Sequence, residues 1–101
     1  MTSPNPFAPT QLGPTELRNR ILKAATFEGM SPDNVVTKTL TEFHRRMAAG
    51  GVALTTVSYI AVSPDGMGAP AEIYIHDRAA DGLARIADVV HSEGGKIAAQ
   101  L

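Results

Sequence analysis

Two Gly-Gly pairs, at residues 50–51 and 94–95, each close a helical pattern and lead directly into an apolar strand pattern. Glycine commonly follows the last turn of a helix because it adopts the left-handed backbone conformation without steric cost. Before the first pair, apolar side chains recur at helical spacing on one face, made of Val36, Leu40, Phe43 and Met47. The polar face is made of Glu42, Arg45 and Arg46. A helix followed at once by a strand, twice over, restricts the chain to alternating α/β folds.

A second amphipathic helix is predicted before Gly94, with Asp77 as its N-cap. Its apolar face is made of Leu83, Ile86, Ala87 and Val90. Buried strands are predicted over residues 20–27, 52–60 and 96–101, where apolar and β-branched residues are concentrated. The last of these lacks alternation and is expected to be covered on both faces.

The resulting order, β-α-β-α-β, implies parallel strands joined by right-handed crossovers. Strand starts near residues 20, 52 and 96 are 32 and 44 residues apart. A (β/α)8 barrel averages about 31 residues per unit. The first spacing matches, and the second exceeds it by about the length of an excursion over 61–76. The sequence therefore favours the N-terminal β-α-β-α-β portion of a TIM (β/α)8 barrel. A doubly wound sheet has similar spacing between its strands and is the alternative.

Residues 1–101 are accordingly predicted to be one segment of a barrel domain whose remaining units lie outside this chain. Residues 1–16 hold four of the seven prolines and are expected to form an extended lead-in. The excursion over 61–76, with its turn at Ser63–Gly66, follows a strand and is placed on the C-terminal face. In barrels this face carries the active site.

Composition argues against several classes of function. The net charge is −1, so nothing favours nucleic acid or an anionic membrane as a partner. Cysteine is absent, which excludes disulfides, thiolate nucleophiles and cysteine-ligated metals within these residues. No apolar run approaches a membrane span, no signal peptide is visible and the absence of cysteine fits a reducing compartment, so a cytoplasmic protein is expected. Formation of a homo-oligomer is left open.

One glycine-rich segment and the three histidines are candidates for a site. The Gly66–Ala71 segment has the Gly-x-Gly-x-x-Ala form, but a strand pattern follows it where a dinucleotide fingerprint requires a helix. No histidine has metal-ligand spacing: His44 and His91 are expected to face solvent, and His76 ends the excursion. No metal site is predicted.

Two polar residues lie in apolar strands. Lys23 is expected to be paired or to reach the strand edge, because an unpaired buried lysine is costly; a catalytic amine is the alternative. Gln100 carries an amide that both donates and accepts hydrogen bonds, which suits a ligand with a mixed polar edge. A hydrogen-bonded core amide is the equal alternative.

Four blocks in register resemble the Old Yellow Enzyme family of flavin-dependent NAD(P)H oxidoreductases. They are Leu17-Arg18-Asn19-Arg20-Ile21, Gly50-Gly51-Val52-Ala53-Leu54, Ala61-Val62-Ser63-Pro64-Asp65-Gly66 and Ala99-Gln100-Leu101. The first resembles the family's entry into strand one and the second its entry into strand two. The third resembles its Val-x-Pro-x-Gly excursion and the fourth its third strand. The resemblance covers residues 7–101.

This resemblance implies FMN as cofactor, NAD(P)H as reductant and hydride transfer through the flavin to an activated C=C bond of a small-molecule substrate. It places five residues at the flavin, namely Ala24, Ala25, Thr26, Tyr59 and Gln100, with Gln100 on the pyrimidine edge. Ala25-Thr26 departs from the Pro-Met of many members, and Tyr59 is larger than the usual Ala or Gly. Catalytic residues remain unassigned, since the family's lie beyond Leu101.

Two alternatives stay open at this point. The chain is either part of such an enzyme or a truncated, non-catalytic fragment of the barrel, because three parallel strands cannot close a barrel and leave an unpaired edge. The other alternative is a flavin-free (β/α)8 enzyme that forms a Schiff base at Lys23.

Overall fold

The computed structural model describes residues 4–101. Two helices and a set of short strands follow one another along the chain. The strands are β1 (Thr10–Leu12), β2 (Thr15–Leu17), β3 (Leu22–Lys23), β4 (Leu54–Val57), β5 (Ile60–Ala61), β6 (Ile73–Tyr74) and β7 (Lys96–Ala99). The helices are α1 (Lys38–Ala49) and α2 (Asp77–Ser92), with a single 3-10 turn at Pro64–Gly66. Neither helix in this described part has the length and hydropathy needed to cross a bilayer.

The central sheet has the order β3-β4-β7, and both pairs are parallel. Leu22 is paired with Leu54, and Leu54 in turn with Lys96, so the three strands start in register. The predicted α/β alternation with parallel strands is thereby confirmed. The sheet is open, with β3 at one edge and β7 at the other.

Both helices begin and end close to where the sequence predicted. Gly50 is the C-cap of α1, and Thr37 caps its start by accepting a hydrogen bond from the Leu40 amide at 3.1 Å. The N-cap of α2 is His76 and not Asp77: its ring Nδ1 accepts from the Ala79 amide at 3.4 Å. An imidazole nitrogen supplies the same acceptor as a carboxylate, so the cap lies one residue earlier than predicted.

The core lies between the two helices and the sheet. Its largest buried aliphatic members come from both helices, from β4 and from β6: Leu40, Val57, Ile73, Ile86 and Val90. The prediction that His44 faces solvent is wrong, because its side chain is fully buried. His44 lies four residues after Leu40 and four before Ala48, and this spacing places all three on the buried face of α1.

The predicted strands are longer than the observed ones. Only Leu22–Lys23 of residues 20–27 pairs with β4, because beyond it the Ser58 hydroxyl, and not a backbone amide, donates to the Thr26 carbonyl. The strand predicted over 52–60 divides into β4 and β5, separated by the cis peptide bond Ser58–Tyr59. β7 is not covered on both faces: Lys96 and Ala99 are exposed.

Two segments predicted as irregular contain secondary structure. Within residues 1–16, of which 1–3 lie outside the described part, β1 and β2 form an antiparallel hairpin. Its two-residue loop begins at Gly13, whose φ of 57° suits the first position of such a turn. In the excursion over 61–76, β6 pairs in parallel with β5 because Ile73 is apolar and buries its side chain beside Ile60.

Candidate functional site

The carboxyl ends of β3, β4 and β7 lie at one edge of the sheet, because all three strands run in the same direction. The five residues predicted for a site follow these ends. Ala24, Ala25 and Thr26 come after β3, Tyr59 after β4, and Gln100 after β7. The structure therefore brings all five to the same edge, where the excursion also begins.

Backbone hydrogen bonds fix this edge. The Gln100 amide donates to the Val57 carbonyl at 2.9 Å, and the Gln100 carbonyl accepts from the Ile60 amide at 3.2 Å. On the other side of β4, the Ser58 hydroxyl donates to the Thr26 carbonyl. Hydrogen bonds thus connect the segments that follow the three strands, and the Gln100 side chain is exposed.

An open groove of about 540 Å³ lies beside this edge. Tyr59 and Gln100 line it on the strand side, and Gly66, Gly68 and Glu72 of the excursion line it on the other. The Tyr59 ring is 48 % exposed and lies against the Phe27 ring, with 5.5 Å between the ring centroids. Tyr59 therefore turns toward Phe27, which the sequence did not predict as its partner.

The Gly-x-Gly segment has a structural role in this groove wall. Gly66 ends the 3-10 turn, and the Gly68 amide donates to Glu72 Oε1 at 2.8 Å. Glu72 is buried, at 5 % exposure, and its carbonyl accepts from the Asn34 side-chain amide at 2.6 Å. No helix starts at this segment, in agreement with the sequence-based rejection of a dinucleotide fingerprint.

Behind the edge lies a group of polar side chains that the sequence analysis did not assemble. Lys23 Nζ is 3.2 Å from Glu28 Oε1, and the same oxygen is 3.2 Å from His44 Nε2. His44 Nδ1 is 2.7 Å from Thr55 Oγ1 of β4. The expected pairing of Lys23 is confirmed. A buried lysine requires an anion nearby, and Glu28, five residues on, was the available signal.

The three histidines do not form a metal centre. His44 is buried against Thr55, His91 is exposed, and His76 caps α2 with its Nε2 2.8 Å from the Asn34 carbonyl. Within residues 4–101, no three His, Cys, Asp or Glu side chains are grouped as metal ligands.

Comparison with known proteins gives one family and several relatives. The model of the NADH:flavin oxidoreductase / NADH oxidase family matches residues 5–101. A 4,4'-dithiodibutanoate disulfide reductase from Rhodococcus erythropolis is 50 % identical over 102 residues, covering 99 % of this chain and 25 % of the relative. The chain thus spans about a quarter of the length of that protein.

Solved structures agree with the sequence comparison. Morphinone reductase superposes with a TM-score of 0.91 at 29 % identity, over 99 % of this chain and 26 % of its own. The old yellow enzyme homologue from Zymomonas mobilis gives a TM-score of 0.86 at 29 % identity, over 97 % of this chain and 28 % of its own. Both similarities extend over the hairpin, the open sheet and the two helices.

Proposed function

Because this chain belongs to the NADH:flavin oxidoreductase / NADH oxidase family, to which the Old Yellow Enzyme homologues also belong, we propose that it forms the N-terminal segment of an FMN-binding (β/α)8 barrel. In this proposal β3, β4 and β7 are the first three barrel strands and residues 1–101 are part of one barrel domain. The remaining strands would cover the two sheet edges and the apolar side chains that are exposed there, including Leu22 and Leu101.

The residues at the carboxyl edge fit a flat, polar-edged ring. Ala24 and Ala25 have small side chains that let such a ring approach the backbone closely. Gln100 presents an exposed amide with donor and acceptor atoms, as the pyrimidine edge of a flavin requires. Tyr59, whose ring centroid is 5.5 Å from that of Phe27, lines the groove beside Gln100. The convergence of these side chains at one strand edge is the observation that carries the proposal.

FMN, when bound, would supply the redox chemistry, namely hydride transfer from NAD(P)H to an electron-poor C=C bond of a small-molecule substrate. The residues of this chain bind and orient the ring. Thr26 lies beside the small alanines with its hydroxyl oxygen 3.0 Å from Lys23 Nζ, and is placed to hydrogen bond a ligand at the strand ends. Ser58 restrains the same segment through the Thr26 carbonyl.

A second candidate reaction is reduction of an organic disulfide. It is favoured by the relative from Rhodococcus erythropolis, whose name is that of a 4,4'-dithiodibutanoate disulfide reductase. The 101 residues contain no cysteine, so this segment would supply no thiolate to such a reaction. Both candidates share the flavin and differ only in the electron acceptor.

The flavin-free alternative with a Schiff base at Lys23 is disfavoured. An ammonium group has three N–H donors, and Lys23 Nζ has three acceptors within 3.2 Å. A carbonyl substrate would have to displace these contacts before the amine could attack. Borohydride trapping of a carbonyl ligand on Lys23 would reinstate this alternative.

The proposed function is tested anaerobically with the FMN-loaded enzyme that contains this chain. We expect NADH or NADPH to bleach the visible absorption of the flavin, and a cyclic enone to restore it. Restoration by 4,4'-dithiodibutanoate and not by the enone would select the disulfide reaction. A protein that takes up no FMN, or whose flavin neither nicotinamide bleaches, would refute the proposal.

A further inference from the structure

A group of four side chains connects α1 to the segment after β3, and we refer to Lys23, Glu28, His44 and Thr55 as the charge cluster. Glu28 Oε1 accepts a hydrogen bond from Lys23 Nζ at 3.2 Å, and His44 Nε2 lies 3.2 Å from the same oxygen without forming a hydrogen bond. The Thr55 hydroxyl lies 2.7 Å from the other nitrogen of His44. Four residues from three different segments are thus held in one arrangement.

The charge cluster is shielded from water. The side chains of Glu28 and His44 are 2 % and 0 % exposed, and that of Lys23 is 13 % exposed. Charges in such surroundings are screened far less than surface charges. The Phe43 ring, whose centroid is 5.5 Å from Lys23 Nζ, adds a face that favours a cation. Lys23 is therefore a fixed positive charge directly behind the carboxyl edge of the sheet.

The contacts of Lys23 determine how Thr26 can bond to anything else. Lys23 Nζ lies 2.9 Å from the Ala24 carbonyl and 3.0 Å from Thr26 Oγ1, in addition to Glu28. An ammonium only donates hydrogen bonds, so the Thr26 oxygen accepts here and its own hydrogen is free for another acceptor. A hydroxyl that accepts from a cation is polarised and becomes a stronger donor. Thr26 is itself exposed at the strand end.

We propose that Lys23 is a positioning residue that makes Thr26 a directed hydrogen-bond donor to the flavin, and that Glu28 sets how much of the Lys23 charge the flavin experiences. This inference rests on the proposed function. A positive charge near the ring favours the reduced flavin, which carries more negative charge than the oxidised form. Lys23 then raises the flavin reduction potential and Glu28 lowers it, while His44 packs beside the Glu28 carboxylate.

The test is the reduction potential of the bound flavin, measured in the FMN-loaded enzyme that contains this chain. Lys23→Met is expected to weaken the preference for reduced over oxidised flavin at least tenfold, which is a negative shift of about 30 mV for a two-electron couple. Glu28→Gln, of the same size but uncharged, is expected to shift the potential in the positive direction. Lys23→Arg, which keeps the charge, should retain most of the preference for reduced flavin that Lys23→Met loses.

Lys96→Met is the matched control, because Lys96 is an exposed lysine at the opposite end of the same parallel sheet. The flavin reduction potential of the Lys96→Met enzyme should equal that of the unmodified enzyme. If Lys23→Met does not fold, the sign of the Glu28→Gln shift decides. Shifts of the same sign in both variants, or none beyond the control, would overturn the inference. A colourless unmodified enzyme would instead refute the proposed function, so the two failures are distinguishable.

Discussion

Arg18 connects the end of the hairpin to the C-terminal ends of both helices, and its removal is the sharpest test of the fold. Its Nη1 donates to the Glu93 carbonyl at 2.8 Å, and its Nη2 donates to the carbonyls of Val52, at 2.8 Å, and Ala48. Glu93 is the C-cap of α2, and Ala48 belongs to the last turn of α1. Carbonyls at helix ends lack partners within the helix, and a cation there also interacts favourably with the helix dipole.

Arg18→Met keeps much of the side-chain length and removes all three hydrogen bonds. A hydrogen bond to a charged group contributes about 1.5–3 kcal/mol. Two of the three share one nitrogen, and Arg18 Nε is buried without a partner among residues 4–101, which offsets part of the gain. We therefore expect a loss of about 2–4 kcal/mol in the free energy of unfolding. For a chain of this size each 1 kcal/mol lowers Tm by about 4–8 °C, so Tm should fall by at least about 8 °C.

Thermal unfolding of the 101-residue chain, followed by circular dichroism, measures this loss. Arg20→Met is the matched control, because Arg20 lies in the same five-residue motif, is exposed, and donates to the Pro6 carbonyl with its backbone amide and not with its side chain. The control should unfold within about 1 °C of the unmodified chain, as surface substitutions usually do. Equal Tm values for the two variants would refute the argument that Arg18 anchors both helix ends.

Two further predictions concern the helices. Gly82→Ala should lower the free energy of unfolding by about 1–2 kcal/mol, because the new Cβ would lie 2.4 Å from Val36 Cβ; an increase in thermal stability would contradict this packing. The hydrogen bond from Arg45 lowers the pKa of Glu42, so the pair stabilises the fold above the unfolded pKa of about 4.5 and loses this effect as pH falls through the folded value. Arg45→Gln should raise the pKa of Glu42 in an NMR titration, and an unchanged value would show that the pair does not form in solution.

The helices and the order of the strands were predictable from local signals. The Gly-Gly pairs fixed both helix ends, and the apolar spacing located the buried face of each helix. The hairpin was missed because proline density in residues 1–16 hid the single signal that matters, a glycine at the first position of a two-residue loop, Gly13. Strand lengths were overestimated because pairing depends on neighbouring strands, which no local pattern reports.

The candidate site was predictable in its exposed part and not in its buried part. The family resemblance assigned Ala24, Thr26 and Gln100 to the site, and parallel topology brings the ends of their strands together. The proximity of Glu28 to His44 depends on the packing of α1 against β4, a contact between segments distant in sequence. The buried position of His44 was also missed, because the buried face of α1 was predicted from apolar residues alone. The four-residue spacing of His44 from Leu40 is that of a buried residue.

The central claim is that this chain supplies part of an FMN site, and the flavin content of the purified enzyme tests it most directly. We expect the enzyme that contains this chain to retain FMN, and Gln100→Leu, which keeps the size and loses the amide, to bind it at least tenfold more weakly. The 101-residue chain alone should bind FMN weakly, because three strands leave the barrel open. An enzyme that purifies without FMN and acquires none on titration would contradict the account, and so would a Gln100→Leu variant of unchanged affinity.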